Sequence, residues 1–219
     1  MGGQTGGVRS RLVLLAATAA FTVWLTYRAL VTSAVGQRLD QLAMVESMAA
    51  APTGTVHHDH LSHLRHVVSV PSIAAAVLVL GTIAVKRSRP ELGAAAAATV
   101  IGANVTTQAL KHWLDRPDLL GVGGANSFPS GHVTVVASLA AGALLVSAGR
   151  ARPAVAVAGA AATVATAAAT LALGWHRPSD VVGAAGVVAA WAAIAGAWAA
   201  GKPSRPSPSS RRETVRLIA

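Results

Sequence analysis

Residues 153–200 read PAVAVAGAAATVATAAATLALGWHRPSDVVGAAGVVAAWAAIAGAWAA: two alanine-rich apolar runs, about 153–174 and 180–200, joined by the polar break Gly174-Trp175-His176-Arg177-Pro178-Ser179-Asp180. Each run approaches the roughly 20 apolar residues that one helix needs to cross a bilayer core. Working outward, four further stretches of the same kind lie at about 12–34, 67–85, 91–110 and 132–149. The chain is 53% hydrophobic and only 12% charged, with a mean hydropathy of +0.53, the statistics of a protein solvated by lipid. Most of these stretches are built on Ala, Val, Leu and Gly, whose small side chains let helix backbones approach closely where lipid gives no hydrophobic drive between helices. The expectation is therefore an all-α, six-transmembrane-helix bundle over residues 12–200. A short cytoplasmic N-terminus, 1–11, precedes it, and a basic, Pro- and Ser-rich tail, 201–219, reads as a disordered cytoplasmic terminus.

Charge sets the orientation. With six spans, the termini and the breaks after the second and fourth spans share one side, which carries 12 Lys and Arg against Glu91 and Glu213; the other side carries 6 of each sign. The positive-inside rule places that basic side, with both termini, in the cytoplasm of a multi-pass cytoplasmic-membrane protein. Arg9 and Arg11 before an apolar run, with small residues near Ser33 and Ala34, also fit a cleaved secretory signal. Tyr27 and Arg28 equally fit the interfacial end of a retained span, the Arg reaching to the headgroups.

Composition excludes several chemistries. There is no cysteine, hence no disulfide, thiolate nucleophile or Cys-ligated metal. Aromatics are 4% of the chain and no basic run is interleaved with stacking residues, so nucleic acid is not an expected partner.

Three connections on the extracytoplasmic side hold nearly all the reactive residues. The first, 35–66, places Leu39, Leu42, Val45 and Met48 at near-helical spacing among Arg38, Asp40 and Glu46, an interfacial helix in a His-rich loop. It ends in His57-His58-Asp59-His60-Leu61-Ser62-His63-Leu64-Arg65-His66. His60 and His63 share a helix face beside Asp59, as metal ligands can, but no matching ligand pair stands elsewhere, so no metal and no cofactor are assigned.

The second connection runs from Lys111-His112-Trp113-Leu114-Asp115-Arg116-Pro117 to Ser127-Phe128-Pro129-Ser130-Gly131-His132. Its cations could simply be interfacial anchors. Together with Ser130 as an N-cap, Gly131 allowing close approach and the free N–H groups of a helix start, they make an anion site. In the third connection Asp180 stands four residues after His176, in reach of an imidazole nitrogen whose tautomer it would fix. Lys111, Arg116, Ser130, His132, His176 and Asp180 on one side of a nearly uncharged bundle form a constellation suited to phosphoryl chemistry, because ionisable groups there are costly to place.

At these residues the chain resembles the type 2 phosphatidic acid phosphatase superfamily, whose pattern is a Lys then Arg-Pro, a Pro-Ser-Gly-His, and a Ser-Arg followed by a His with an Asp four residues on. Pro129-Ser130-Gly131-His132 is complete; His176 and Asp180 match the third motif; the resemblance spans roughly 67–200. It implies a metal-independent lipid phosphatase with catalytic His176 (nucleophile), His132 (acid and base) and Asp180 (orienting His176), and with phosphate held by Lys111, Arg116, Ser130 and Gly131. Two departures stand out. Lys111 and Arg116 enclose four residues, fewer than the family usually has, and the Ser-Arg of the third motif falls on Ala169 and Thr170. Arg177, directly after His176, is the candidate to supply that charge instead; the alternative is a weakened site.

The leading expectation is hydrolysis of a polyprenyl or glycerolipid phosphate at the outer face of the membrane. Phosphate transfer to another acceptor through the same phosphohistidine is a second option. A third is a non-catalytic membrane protein that binds anionic headgroups or a divalent metal through the His57–His66 loop.

Overall fold

The computed structural model describes residues 2–51, 70–123 and 125–202. The His57–His66 segment and the tail from residue 203 lie outside the described residues. Those described form helices and no strand. In chain order they are α1 (Gly2–Thr26), extended by a π-helical turn at Tyr27–Val31, then α2 (Ala34–Ala49), α3 (Val70–Lys86), α4 (Pro90–Trp113), α5 (Gly131–Val146), α6 (Ala151–Ala172) and α7 (Pro178–Ala200). All six apolar stretches read from the sequence coincide with helices. Three segments, Gly6–Val31, Ala151–Ala172 and Pro178–Ala200, are long and apolar enough to cross a membrane by length and composition, whereas Val70–Lys86 and Gly131–Val146 are shorter apolar helices. The fold is compatible with a multi-pass membrane protein.

Local chemistry sets the helix ends. Ser33 caps α2, its Oγ accepting the Gly36 N–H at 3.0 Å, and Ser130 caps α5 by accepting from the Val133 N–H at 3.4 Å, each satisfying a donor that the first turn leaves unpaired. α4 and α7 begin with Pro90 and Pro178, a ring that fixes φ where no amide donor is needed. α6 gives way to the third connection at Gly174, whose φ of +65° is a left-handed conformation open to glycine and strained for other residues.

α1 lies along α7, α4 packs on both α5 and α7, and α6 and α3 flank α5 and α4. Close approach depends on small residues: a Cβ placed on Gly186 would stand 2.6 Å from Val23 of α1, and one on Gly159 would stand 2.7 Å from the Ala140 side chain. α6 buries only Thr170, so nearly its whole apolar surface faces outward, as a helix against acyl chains would.

Gly183 has a different neighbour. A Cβ there would fall 2.4 Å from the Phe128 ring, and Phe128 is wholly buried in the segment that leads to Ser130. Gly183→Ala must displace that ring and is expected to destabilise the protein by about 1–3 kcal/mol, as overpacking of a tight interior does. A lower unfolding temperature in detergent is the check.

α2 departs from the simple amphipathic expectation. Its apolar residues Val35, Leu39, Leu42, Val45 and Met48 are exposed while Gln37 and Asp40 are buried. Gln37 and Asp40 are turned onto the protein, while the apolar residues face outward together with Arg38 and Glu46, an arrangement suited to a helix resting at an interface.

Candidate active site

The second and third connections meet where α5 and α7 begin. The Ser130 N–H donates to the Asp180 carbonyl at 2.9 Å, tying the two helix starts together. The rings of His132 and His176 stand 6.0 Å apart, nearly edge-on at 67°, and Trp175 tilts against His132 at 5.4 Å. A cavity of about 560 Å³ lies before the two histidines, lined by Lys111, Gln108, Asn104, Gly131, His132 and His176 together with Val70, Ile73, Val105 and Val135. A Cβ on Gly131 would sit 3.9 Å from Lys111 Nζ and 3.8 Å from Gln108 Nε2. The absent side chain leaves space beside the only lysine of this wall and beside the first-turn amides of α5, a natural seat for an anion.

Behind His176 lies a buried carboxylate. Asp180 is fully enclosed; its Oδ2 accepts from Ser127 Oγ at 2.7 Å and from the Arg177 N–H at 3.0 Å, and stands 3.2 Å from His176 Nδ1. Its Oδ1 accepts from Arg116 Nη2 at 2.8 Å. With Nδ1 engaged by the carboxylate, the imidazole carries its proton there and leaves Nε2 as the free lone pair. The contact between ring and carboxylate is the one expected from the four-residue step from His176 to Asp180.

The site divides the residues expected to hold phosphate. Lys111 and Gly131 line the cavity with the two histidines. Ser130 is buried and spends its hydroxyl on the cap of α5. Arg116, with its side chain only 6% exposed, faces carboxylates rather than the cavity: Asp180 at 2.8 Å and Asp40 at 3.8 Å. Its Nη2 also lies 3.3 Å from Ser179 Oγ, and its buried Nε finds no partner among the described residues. Burial pulls this guanidinium below its ordinary pKa, Arg177 adds to that, and Asp180 and Asp40 oppose it. Arg177 points elsewhere too. Its Nε donates to Gln41 Oε1 at 3.0 Å, and its side chain borders a separate hollow with Gln37, Gln41 and Arg116. Thr170, in the place of the family's arginine, is buried; its Oγ1 donates to the Ala167 carbonyl, and its own carbonyl takes the Trp175 and His176 N–H groups. It shapes the turn that carries His176 and adds no charge.

Because Arg177 faces Gln41 and not the cavity, Arg177→Ala should leave turnover within about threefold of the unsubstituted protein, the scale of losing one half-exposed polar contact. Steady-state phosphate release checks this; loss of activity on the scale of a nucleophile variant would reinstate Arg177 as a phosphate ligand.

Four residues escaped the sequence reading. Asn104 and Gln108 precede Lys111 on one face of α4, at positions i, i+4 and i+7 of a helix; polar residues at that spacing in an apolar stretch were the available signal. Ser127 was read only as part of the motif's approach. Asp40 accepts the Ser179 N–H at 2.8 Å and its hydroxyl at 2.6 Å, across a separation that no local pattern discloses.

Over the described residues these features define a helical protein compatible with a membrane location, with two histidines on one cavity and a buried carboxylate behind one of them. The model of the PAP2 superfamily matches residues 63–205, a span that contains the whole cavity and both motif helices, and the chain belongs to that phosphatase-type family. Comparisons with curated proteins and with solved structures returned no match.

Proposed function

We propose that the protein is an integral membrane lipid phosphatase with six spans, both termini in the cytoplasm and its site on the outer face. The observation that carries this reading is the pair His132 and His176, 6.0 Å apart on one cavity whose remaining wall joins a lysine, an asparagine, a glutamine and a glycine to three valines and an isoleucine. Such a wall suits a phosphate joined to an apolar chain. Val70 and Val105, both on the cavity, are largely exposed at 81% and 63%, which supports entry of the chain sideways from between α3 and α4.

In the first step His176 Nε2 attacks phosphorus. The new P–N bond forms as the P–O bond to the lipid breaks, and His132 gives its proton to the departing oxygen. The phosphorylated imidazole keeps its Nδ1 proton toward Asp180 and carries positive charge. In the second step neutral His132 takes a proton from water, the oxygen attacks phosphorus, the P–N bond breaks and inorganic phosphate leaves. Lys111 and the first-turn amides at Gly131 hold the equatorial oxygens, where most of the catalysis of phosphoryl transfer resides. The positive charges in this scheme all come from side chains, so turnover is expected to persist in chelator. Phosphate release from polyprenyl diphosphate, phosphatidate and phosphatidylglycerophosphate by purified protein in EDTA is the test. Release from at least one of them supports the reading; no release from any would favour a non-catalytic headgroup-binding protein.

A further inference from the structure

Asp40 lies on α2, outside the segment matched by the family, yet it is one of the most enclosed charges of the described residues, at 3% exposure. Its carboxylate takes the Ser179 N–H and hydroxyl at 2.8 and 2.6 Å and stands 3.8 Å from Arg116. Burial pushes this carboxyl upward, and the two hydrogen bonds from Ser179 oppose the shift. Docking alone does not account for so costly a group. Gln37 already ties α2 to the Val31 and Pro117 carbonyls at 2.8 and 2.6 Å, and Gln41 ties it to Arg177, without burying a charge.

We infer that Asp40 is a positioning residue for the reaction: it seats the start of α7 through Ser179 and shares Arg116, so that the negative charge of Asp180 remains available to His176. The inference rests on the phosphohistidine reading above. Two carboxylates share one guanidinium, so Arg116 is not committed to Asp180 alone. When His176 accepts phosphorus its ring becomes an imidazolium, and the charge of Asp180 at 3.2 Å stabilises it. Without Asp40, Arg116 at 2.8 Å would neutralise Asp180 and the ring would lose its counter-charge. Ser179 acts in the same chain: its amide is one of the unpaired donors at the helix start, and Asp40 both satisfies it and complements the helix dipole.

The test is Asp40→Asn, which keeps the shape and an acceptor oxygen but removes the charge, beside Asp40→Glu, Ser179→Ala and, as a docking control, Gln41→Ala. Each is purified in detergent, assayed on the lipid phosphate that the unsubstituted protein hydrolyses best, and examined by NMR of 15N-labelled histidine, with His176→Gln assigning the resonance. The expected result is a fall in kcat of about 10- to 100-fold in Asp40→Asn with KM within about twofold, the size of effect seen when a supporting partner of a reactive group is removed. Asp40→Glu should recover part of it, Ser179→Ala should lose less, and Gln41→Ala should match the unsubstituted protein. The His176 Nδ1 proton should move upfield in Asp40→Asn. Unchanged kcat and an unchanged His176 resonance would overturn the proposal, as would losses in Asp40→Asn and Gln41→Ala that both follow the folded fraction. If the unsubstituted protein released no phosphate, the phosphatase reading would fail by itself, and the His176 resonance would still decide whether Asp40 controls that ring.

Discussion

His176→Ala is expected to reduce phosphate release to the background of a protein-free assay. His176 Nδ1 is backed by the buried carboxylate of Asp180, which fits it for the nucleophile's part. Removing a covalent nucleophile typically costs about as much as dismantling the whole catalytic group, on the order of 10⁶-fold. Folding should survive, because the ring is 7% exposed on the cavity side and truncation opens a site already hollow. Loss of activity with an unchanged unfolding temperature is the result that identifies chemistry rather than collapse.

Asp180→Asn should show the opposite combination, a loss of both activity and stability. The carboxylate meets His176, Arg116, Ser127 and the Arg177 amide at once. An amide presents an NH₂ group to one side of that ring of donors, and Arg116 is left with Asp40 and the Ser179 hydroxyl. Breaking a buried ion pair by neutralising one partner costs about 3–5 kcal/mol, and a carboxylate that holds a catalytic histidine contributes roughly 10⁴-fold to turnover in the Ser-His-Asp case. We expect a drop of about 10³- to 10⁴-fold in kcat and a lower unfolding temperature in detergent. Stability unchanged alongside lost activity would mean that Arg116 is held by Asp40 and Ser179 without help.

Much of this was legible in the sequence. Apolar length located the helices, and Ser130, Pro178 and the four-residue step from His176 to Asp180 announced the helix starts and the hydrogen bond between ring and carboxylate, because each depends only on local geometry. The fate of the arginines was not. Arg116 and Arg177 read as phosphate ligands by charge and position in the motif, and in the fold they face Asp180, Asp40 and Gln41. A cation's partner is set by which helix packs beside it, and α2 is joined to that region only through the tertiary fold. The same holds for Asp40, which in the sequence is one of three charged residues set between the apolar ones of an interfacial helix. In a lipid-facing bundle polar groups find their partners inside. The departure at Thr170 also changes meaning: with Arg116 committed to carboxylates and no arginine at 170, Lys111 is the one lysine or arginine on the cavity wall among the described residues.

The measurement closest to the central claim is trapping of the phosphorylated enzyme. The unsubstituted protein is mixed with a 32P-labelled lipid phosphate, quenched in alkali within the first turnover and digested, beside His132→Ala, in which loss of the acid and base slows formation and breakdown of the intermediate alike. The account predicts label on the peptide that contains His176, stable in base, labile in acid, and absent when His176 is replaced. Label on any other residue, or turnover by the unsubstituted protein with no phosphorylated enzyme under single-turnover conditions, would contradict it.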